Sequence, residues 1–211
     1  MNKIYAHIGP MFAGKTSELH RLLKLAQISK KNVILFHPII DTRLPVGEIP
    51  VNHDGIGSFN GPTFRVRDSS EILEIVAAEK PEVVGYDEGH FFDPRLLGAM
   101  YQLYQNGLQE IYAGLDTDFL GRPFETTRDL IILPEVKVFK WKAVCAICRC
   151  ENARRTIKIN SIGQVVTSQE MSARIEPGDK DKYKPVCFSC FTRALSSQLT
   201  PEELLALRVA A

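Results

Sequence analysis

Eight residues near the start of the chain have the types and spacing of a phosphate-binding loop. The run GPMFAGKT at 9–16 matches the pattern G-x-x-x-x-G-K-[ST] at every position. An apolar run, Lys3–Ile8, precedes it, and apolar residues at helical spacing follow it from Thr16 to about Ser29. Backbone N–H groups of such a loop, with the positive end of the following helix, surround phosphate oxygens. The residues concerned are Gly9, Pro10, Met11, Phe12, Ala13, Gly14, Lys15 and Thr16.

This loop predicts a nucleoside triphosphate site with a defined role for its last two residues. Lys15 would contact the β- and γ-phosphates, and the Thr16 hydroxyl would hold Mg²⁺. An ordinary glycine-containing turn before a helix is the alternative, but the strand and helix signals on both sides favour phosphate binding.

Two adjacent carboxylates follow another apolar run. Val83–Tyr86 predicts a buried strand, and Asp87 and Glu88 come directly after it. A parallel strand delivers its carboxyl end to the ligand crevice, next to a phosphate loop. Asp87 at that position suits the Mg²⁺ shell. Glu88 can accept a proton from a hydroxyl group that attacks the γ-phosphate, although two solvated acids at a strand end are the alternative.

Asp41-Thr-Arg43 follows the strand predicted at Val33–His37, so it falls at the same edge of the sheet. Arg43 would stabilise charge on the transferring phosphoryl group, while a surface turn is an equally good interpretation. Four aromatic residues come after the carboxylates and around a further strand end: Phe91, Phe92, Phe119 and Phe124. They can sandwich a flat base, although core packing is the commoner role of such residues.

The cysteines predict a structural zinc site. Cys145 and Cys148 form one C-x-x-C pair, and Cys187 and Cys190 form a second pair after an interval of 38 residues. Four thiolates from two such pairs make a closed tetrahedral zinc site, which is structural rather than catalytic. Buried cysteines that pair by chance are the alternative. Cys150 is left over, and we expect it to lie outside the zinc shell.

Strand and helix signals alternate over the first two-thirds of the chain. The predicted strands are Lys3–Ile8, Val33–His37, Val83–Tyr86, Glu110–Gly114 and Val136–Lys140, and the predicted helices are Thr16–Ser29, one capped by Ser69 or Ser70 and stopped by Pro81, Asp93–Asn106, and one that begins with Thr200 as N-cap. Such alternation predicts an α/β fold, with a P-loop parallel sheet that has helices on both faces.

The pattern changes after Trp141. Short alternating stretches at Thr156–Ile159 and Gln164–Thr167, together with the cysteines, predict a small zinc-binding β subdomain with a long loop. We therefore predict three parts: an ATP-binding domain at 1–141, a zinc-binding subdomain at 142–193, and a helical tail at 194–211.

Composition limits the function further. The 211 residues carry 26 Lys and Arg against 25 Asp and Glu, a formal net charge of +1. A dedicated nucleic-acid or membrane-surface role gains no support from that balance. The sequence shows no export signal and no run of about 20 apolar residues, so we expect a cytoplasmic protein with reduced thiols.

Taken together, the motifs resemble those of the type II thymidine kinases. The resemblance extends from about Lys3 to Phe191 and includes Thr156 after the first cysteine pair. Its motifs are GPMFAGKT at 9–16, DTR at 41–43, DEGHFF at 87–92, GLDTDFLGRPF at 114–124, the two C-x-x-C pairs, and DKYKPVC at 181–187. The phosphate loop alone would be generic, but the combination is specific.

The resemblance implies an enzyme that transfers the γ-phosphate of ATP to the 5′-hydroxyl of thymidine to give dTMP, and that also accepts deoxyuridine. It implies that Glu88 is the general base, with Lys15 and Arg43 at the transferring phosphate. It implies Mg²⁺ bound with ATP by residues that include Asp41, Arg43, Asp87 and His90, and a structural Zn²⁺ on the four paired cysteines. A cytoplasmic homotetramer in nucleotide salvage for DNA synthesis, with dTTP as feedback inhibitor, is also implied.

The resemblance also implies a pocket for thymine. Its wall would be formed by Met11, Phe91, Leu115, Phe119 and Phe124, with Thr156 beside it. A lasso loop from about Ile175 to Tyr183 would read the base edge through its backbone, with Tyr183 near the sugar. Departures from the family pattern include His90, where Gln is common, a longer stretch at 165–174, and Phe188 inside the second cysteine pair.

Two other classes of function fit parts of the sequence. A zinc-containing P-loop ATPase that acts on nucleic acid would need a basic, aromatic-rich surface near the zinc. Three lysines at 180, 182 and 184 hint at one, but two aspartates at 179 and 181 interleave with them. A non-enzymatic nucleotide-dependent switch would leave Glu88 and the aromatic residues without a role. We therefore expect a nucleoside kinase.

Overall fold

The structure is a computed structural model that describes residues 3–40, 59–167 and 182–209. The strands in these ranges are β1 (Ile4–Ile8), β2 (Val33–Pro38), β3 (Thr63–Val66), β4 (Val83–Tyr86), β5 (Gln109–Gly114), β6 (Val136–Lys140), β7 (Arg155–Lys158) and β8 (Tyr183–Val186). The helices are α1 (Lys15–Ile28), α2 (Ser69–Glu79), α3 (Leu96–Gln105), α4 (Glu125–Ile131), α5 (Phe188–Leu195) and α6 (Pro201–Val209), and a 3₁₀ turn covers Gly89–Phe91.

The chain divides into two compact units. The first contains β1, the segment Gly14–Gly114 and the segment Glu125–Lys140. The second contains Gly9–Ala13, Leu115–Phe124 and the chain from Trp141 onward. The three-part division made from the sequence stays a prediction.

The first unit is built on a six-stranded sheet with the order β3-β2-β4-β5-β1-β6. Every neighbouring pair in it is parallel, which confirms the predicted α/β fold class. Because β1 and β4 both pair with β5, the segments that follow them leave the same edge of the sheet. The phosphate loop follows β1, and Asp87 follows β4.

Helices cover both faces of this sheet, as predicted. On one face Leu19 and Leu23 of α1 pack against strand residues that include Leu35. On the other face α2, α3 and α4 contribute residues such as Ile72 and Leu96. Burial on both faces explains why the central strands are continuous apolar runs rather than alternating ones. Burial of this apolar surface is the main stabilising contribution to the sheet.

Several local features differ from the sequence predictions. Asp68, not Ser69 or Ser70, caps α2, because its side chain accepts a hydrogen bond of 2.9 Å from the Ser70 N–H. The sequence patterns did not predict β3, β8, α4 or α5. The stretch expected to alternate at Gln164–Thr167 makes only an isolated bridge, between Val165 and Ile159.

The second unit contains an antiparallel pair, β7 with β8, and the helices α5 and α6. Its apolar core includes Cys145, Ile157, Phe191 and Leu207. The predicted start of α6 is confirmed, since the Glu203 N–H donates to Thr200 Oγ1 and the Thr200 N–H donates to the Glu203 carboxylate. This reciprocal pair is a capping box.

None of the helices in the described part of the chain combines the length and the apolar character that crossing a bilayer requires.

An acidic side chain is enclosed in the sheet of the first unit. Glu110 on β5 is fully buried, and its Oε2 accepts a hydrogen bond of 2.7 Å from the hydroxyl of Tyr86, itself fully buried on β4. Within the described residues its Oε1 has no hydrogen-bond partner. Burial raises the pKa of Glu110 well above its usual range, and the hydrogen bond from Tyr86 offsets only part of that rise. We therefore expect Glu110 to be protonated in the folded protein at neutral pH.

Replacement of Glu110 by Gln should remove a pH dependence from the stability of the fold. A carboxyl group whose folded pKa is raised stabilises the fold below its unfolded pKa, and this contribution is lost as pH rises towards the folded pKa. From about pH 4.3 upward, the unfolding free energy of wild type should fall relative to Glu110→Gln, by up to about 1.4 kcal/mol per pH unit. Denaturant titrations at acidic and alkaline pH measure this difference.

Glu74→Gln, on the exposed surface of α2, is the matched control and should follow wild type at both pH values. If Glu110→Gln also follows wild type, Glu110 does not hold a proton in the fold.

Candidate active site and metal centre

The backbone of the phosphate loop requires glycine at two positions. Gly9 has φ +147°, and a Cβ there would lie 2.7 Å from the backbone oxygen of Trp141. Gly14 has φ +83° and ψ 14° at the N-cap of α1, which has no side-chain cap. Residues other than glycine rarely adopt such angles, because their Cβ atom clashes with the backbone. A helix that begins on glycine can present its first N–H groups to an anion.

Thr16 and Asp87 meet in the first unit. The Thr16 hydroxyl in the first turn of α1 donates a 3.0 Å hydrogen bond to Asp87 Oδ1. Asp87 is 3% exposed, and its own N–H donates to the carbonyl of Phe36 on β2. A hydroxyl and a carboxylate at hydrogen-bond distance are oxygen ligands of the kind that Mg²⁺ prefers beside phosphates. Their chemistry fits the predicted magnesium site.

Glu88 has an unusual backbone conformation. Its φ of 49° and ψ of 39° lie in the left-handed region, which costs a non-glycine residue of order 1 kcal/mol. Its N–H donates to Asp87 Oδ1 at 2.9 Å, and its carbonyl accepts from the Phe91 N–H at 2.9 Å. Strain of this kind persists only where the surrounding structure holds it.

The 3₁₀ turn after Glu88 packs directly on a buried tyrosine. A Cβ on Gly89 would lie 2.1 Å from a ring atom of Tyr112. The Tyr112 hydroxyl is in turn 2.6 Å from Thr127 Oγ1 on α4. Only glycine fits at position 89, so the ring of Tyr112 supports the turn that carries Glu88.

His90 lies beside the proposed base. Its Nδ1 is 3.6 Å from Glu88 Oε2, and its ring centroid is 4.0 Å from that of Phe91. His90 is 4% exposed, whereas the side chain of Glu88 retains 22% exposure. The accessible carboxylate is therefore Glu88, and His90 supports one side of it.

The second unit brings four of the predicted nucleoside-binding residues together. The Met11 N–H donates to Thr156 Oγ1 at 3.1 Å. Phe119 and Tyr183 are buried in one apolar cluster with Val166, and Met11 packs against it. Leu115 and Phe124 begin and end the loop segment that carries Phe119. Phe91 belongs to the first unit, together with Glu88.

An aspartate shapes the loop that carries Phe119. Asp118 Oδ1 accepts hydrogen bonds from the N–H groups of Leu120 and Arg122, at 3.0 and 2.9 Å. Gly121, with φ +81°, completes this turn. The predicted site residues Asp41, Arg43 and Ile175 lie outside the described residues.

Two buried lysines in the second unit, Lys158 on β7 and Lys184 on β8, were not predicted from the sequence. Lys158 on β7 is only 5% exposed, and its Nζ is 5.6 Å from the centroid of the Phe119 ring and 5.8 Å from that of Tyr183. One signal in the sequence could have indicated the position of Lys158. It lies two residues after Thr156 in a predicted strand, and residues two apart on a strand share a face.

The four paired cysteines form a cluster in the second unit. The sulfur atoms of Cys145, Cys148, Cys187 and Cys190 all lie within 4.8 Å of one another. The Sγ atoms of Cys148 and Cys187 are 3.7 Å apart, close to the edge of about 3.8 Å expected for a tetrahedron with Zn–S bonds near 2.3 Å. The cluster can therefore hold a metal ion, as the predicted zinc site requires.

Electrostatics distinguish the thiols of this cluster. A backbone hydrogen bond at Cys150 lowers the pKa of Cys148 to about 6, whereas burial raises the pKa of Cys190 above its ordinary value. A bound Zn²⁺ would deprotonate all four ligands, since a coordinating thiol is present as thiolate. Cys150 is not part of the four-sulfur group, in line with its predicted place outside the shell.

Comparison with known proteins indicates one family. The sequence profile of the family described as thymidine kinase matches residues 2–191. A thymidine kinase from Bacteroides fragilis is 36% identical over 189 residues, which cover 89% of this chain and 85% of the relative. A thymidine kinase from a Rhodothermus species is 36% identical over 183 residues, covering 87% and 78% respectively. One from Mycoplasmoides gallisepticum is 34% identical over 189 residues, again covering 87% and 78%.

Replacement of single cysteines should separate zinc ligands from the bystander. Cys187→Ser should lose the metal and unfold at lower temperature, because a structural zinc site contributes directly to folding. Cys150→Ser, which makes the same chemical change close to the cluster, should retain about one zinc per chain. Elemental analysis and thermal unfolding of both purified variants measure these effects. Full stability in a metal-free protein would contradict a structural role for zinc.

Proposed function

The chain belongs to the thymidine kinase family, and from that membership we propose the mechanism by which it phosphorylates thymidine. In this proposal the γ-phosphate of ATP passes to the 5′-hydroxyl of thymidine or deoxyuridine, which gives dTMP or dUMP. The observation that supports it most is the group formed by Thr16, Asp87 and Glu88, with Thr16 Oγ1 3.0 Å from Asp87 and the Glu88 N–H bonded to the same carboxylate.

The phosphate loop and Asp87 are proposed to hold Mg-ATP. Backbone N–H groups along Gly9–Gly14 would bind phosphate oxygens, with Lys15 at the β- and γ-phosphates. Thr16 and Asp87 would hold Mg²⁺, which neutralises charge on the phosphates when it is bound. Asp41, Arg43 and His90 complete the proposed set, with Arg43 at the transferring phosphoryl group.

Glu88 is proposed as the general base. It has an accessible carboxylate on a backbone that Gly89 and Tyr112 hold in one conformation. A base in a fixed position can take the proton of the 5′-hydroxyl as the oxygen attacks phosphorus. His90, 3.6 Å away, would limit the rotation of that carboxylate.

The nucleoside is proposed to bind against residues that the family resemblance assigns to the thymine pocket. Support within the second unit comes from Met11, Phe119, Thr156 and Tyr183, which the hydrogen bond at Thr156 and the cluster around Phe119 bring together. Aromatic faces give a base a large contact surface at low entropic cost. Phe91, Leu115, Phe124 and Ile175 are proposed to complete the pocket.

Other properties of the protein are also proposals. The four paired cysteines would bind one structural Zn²⁺. A cytoplasmic location, a homotetramer and feedback inhibition by dTTP follow from the family resemblance.

Loss of the general base should slow turnover but should not weaken ATP binding. Glu88→Gln keeps the size of the side chain and removes its basicity, so turnover of thymidine should fall by about 10²-fold or more. The ATP affinity should stay within about twofold of wild type, because Glu88 is not assigned to the phosphates. Steady-state rates and a nucleotide-binding titration measure the two effects. Near-normal turnover in the variant would remove Glu88 from this role.

A nucleoside panel should reveal the hydrogen-bond pattern and size of the pocket. Deoxycytidine and deoxyguanosine should be rejected strongly, since a mismatched base leaves buried polar groups unpaired. Deoxyuridine lacks one methyl group, worth about 1 kcal/mol of apolar contact, and should be poorer by roughly tenfold. Phe119→Ala should raise the thymidine KM sharply because it removes a contact surface for the base.

The control arm of that panel replaces the nucleoside with single-stranded DNA. ATP consumption that rises with DNA and not with thymidine would favour the nucleic-acid ATPase instead. Equal turnover of deoxycytidine and thymidine would contradict the pocket assignment.

A further inference from the structure

Lys158 is buried in a place where a lysine is costly. The residue is only 5% exposed, and lysines are rarely enclosed to this degree. Its Nζ lies 5.6 Å from the Phe119 ring centroid and 5.8 Å from the Tyr183 ring centroid. Both distances are within the range of a cation–π interaction, so two aromatic rings share one cation.

The strand pairing explains how this contact arises. Lys158 on β7 is directly opposite Tyr183 on β8 in the antiparallel register. Thr156 is two residues earlier on the same strand, so its side chain shares a face with that of Lys158. Thr156 Oγ1 accepts from the Met11 N–H on that face. The cation therefore lies among residues proposed to bind the nucleoside.

The backbone of Lys158 makes a further link within the same cluster. Its carbonyl accepts a 2.8 Å hydrogen bond from the N–H of Val166, which packs with Phe119 and Tyr183. One residue thus connects three members of the cluster, through its carbonyl and its ammonium group.

We propose that Lys158 is a positioning residue for nucleoside binding, because its ammonium group holds the rings of Phe119 and Tyr183 in the orientation that receives the nucleoside. The inference rests on the proposed function. It assigns to Lys158 an action through the two rings, without contact to the phosphates or to the reacting atoms. An apolar side chain of similar length would fill the space but would not orient the ring faces.

The experiment compares Lys158→Met, which removes the charge, with Lys158→Arg, which keeps a cation that favours aromatic faces. Lys158→Met should raise the thymidine KM by about 3- to 30-fold, the range expected from loss of a largely buried cation–π contact. Its kcat and its ATP KM should stay within about twofold of wild type. Lys158→Arg should restore a thymidine KM within about threefold of wild type. If the role of Lys158 were merely structural, Lys158→Met would lower kcat and thermal stability together and would not raise the thymidine KM alone.

A double substitution tests whether Lys158 acts through Phe119. In the Phe119→Leu background, Lys158→Met should change the thymidine KM much less than in wild type, because residues that act as a unit are not additive. Calorimetric binding of thymidine without ATP supplies the same comparison when turnover is slow. If Lys158→Met is poorly folded, Lys158→Gln takes its place in each arm.

The outcomes separate this inference from the function on which it rests. An unchanged thymidine KM in Lys158→Met, in a wild type that phosphorylates thymidine, overturns the positioning role alone. Fully additive effects of Lys158→Met and Phe119→Leu also overturn it. A wild-type protein that neither binds nor phosphorylates thymidine contradicts the proposed function, and this inference with it.

Discussion

The hydrogen bond between the Thr16 hydroxyl and the Asp87 carboxylate is the contact on which the proposed chemistry of the first unit depends. It exists because β1 and β4 are both neighbours of β5 in a parallel sheet, so the segments after them emerge at the same edge. Neither residue is close to the other in sequence. The order of the strands brings these two side chains, which are 71 positions apart in the sequence, to a distance of 3.0 Å. Without that order, the proposed magnesium site would lose the contact between Thr16 and Asp87.

In addition to the contact of its side chain with His90, a backbone constraint holds Glu88 in place. Its left-handed conformation is unfavourable by itself, and the neighbouring Gly89 is held against the ring of Tyr112 with no room for a Cβ. Tyr112 is buried and bonded to Thr127, so the support extends into α4. This arrangement fixes the backbone that carries the carboxylate while part of the side chain remains exposed, which suits the proposed general base.

Motifs with a fixed local geometry could be predicted from the sequence, and buried polar contacts outside those motifs could not. The glycine-rich loop between a strand and a helix, the apolar strands and the paired cysteines each have a spacing that reflects one local structure, and the structure has these elements where they were expected. Phosphate binding by the loop stays a prediction. β3 and α4 were missed because they are short, and the buried face of α4 includes Thr126 and Thr127. Tyr86 with Glu110, and Lys158 with its two rings, were missed because polar and charged residues usually lie at the surface. Only the tertiary fold shows that these residues are enclosed.

The central claim is that the 5′-oxygen of thymidine attacks the γ-phosphate of ATP in this protein. Thymidine labelled with oxygen-18 at its 5′ position tests it most directly, with mass spectrometry of the products formed by purified protein, ATP and Mg²⁺. The account predicts that dTMP retains the whole label and that ADP and dTMP form in a one-to-one ratio. Formation of ADP and inorganic phosphate at the same rate without thymidine, or dTMP without the label, would contradict it.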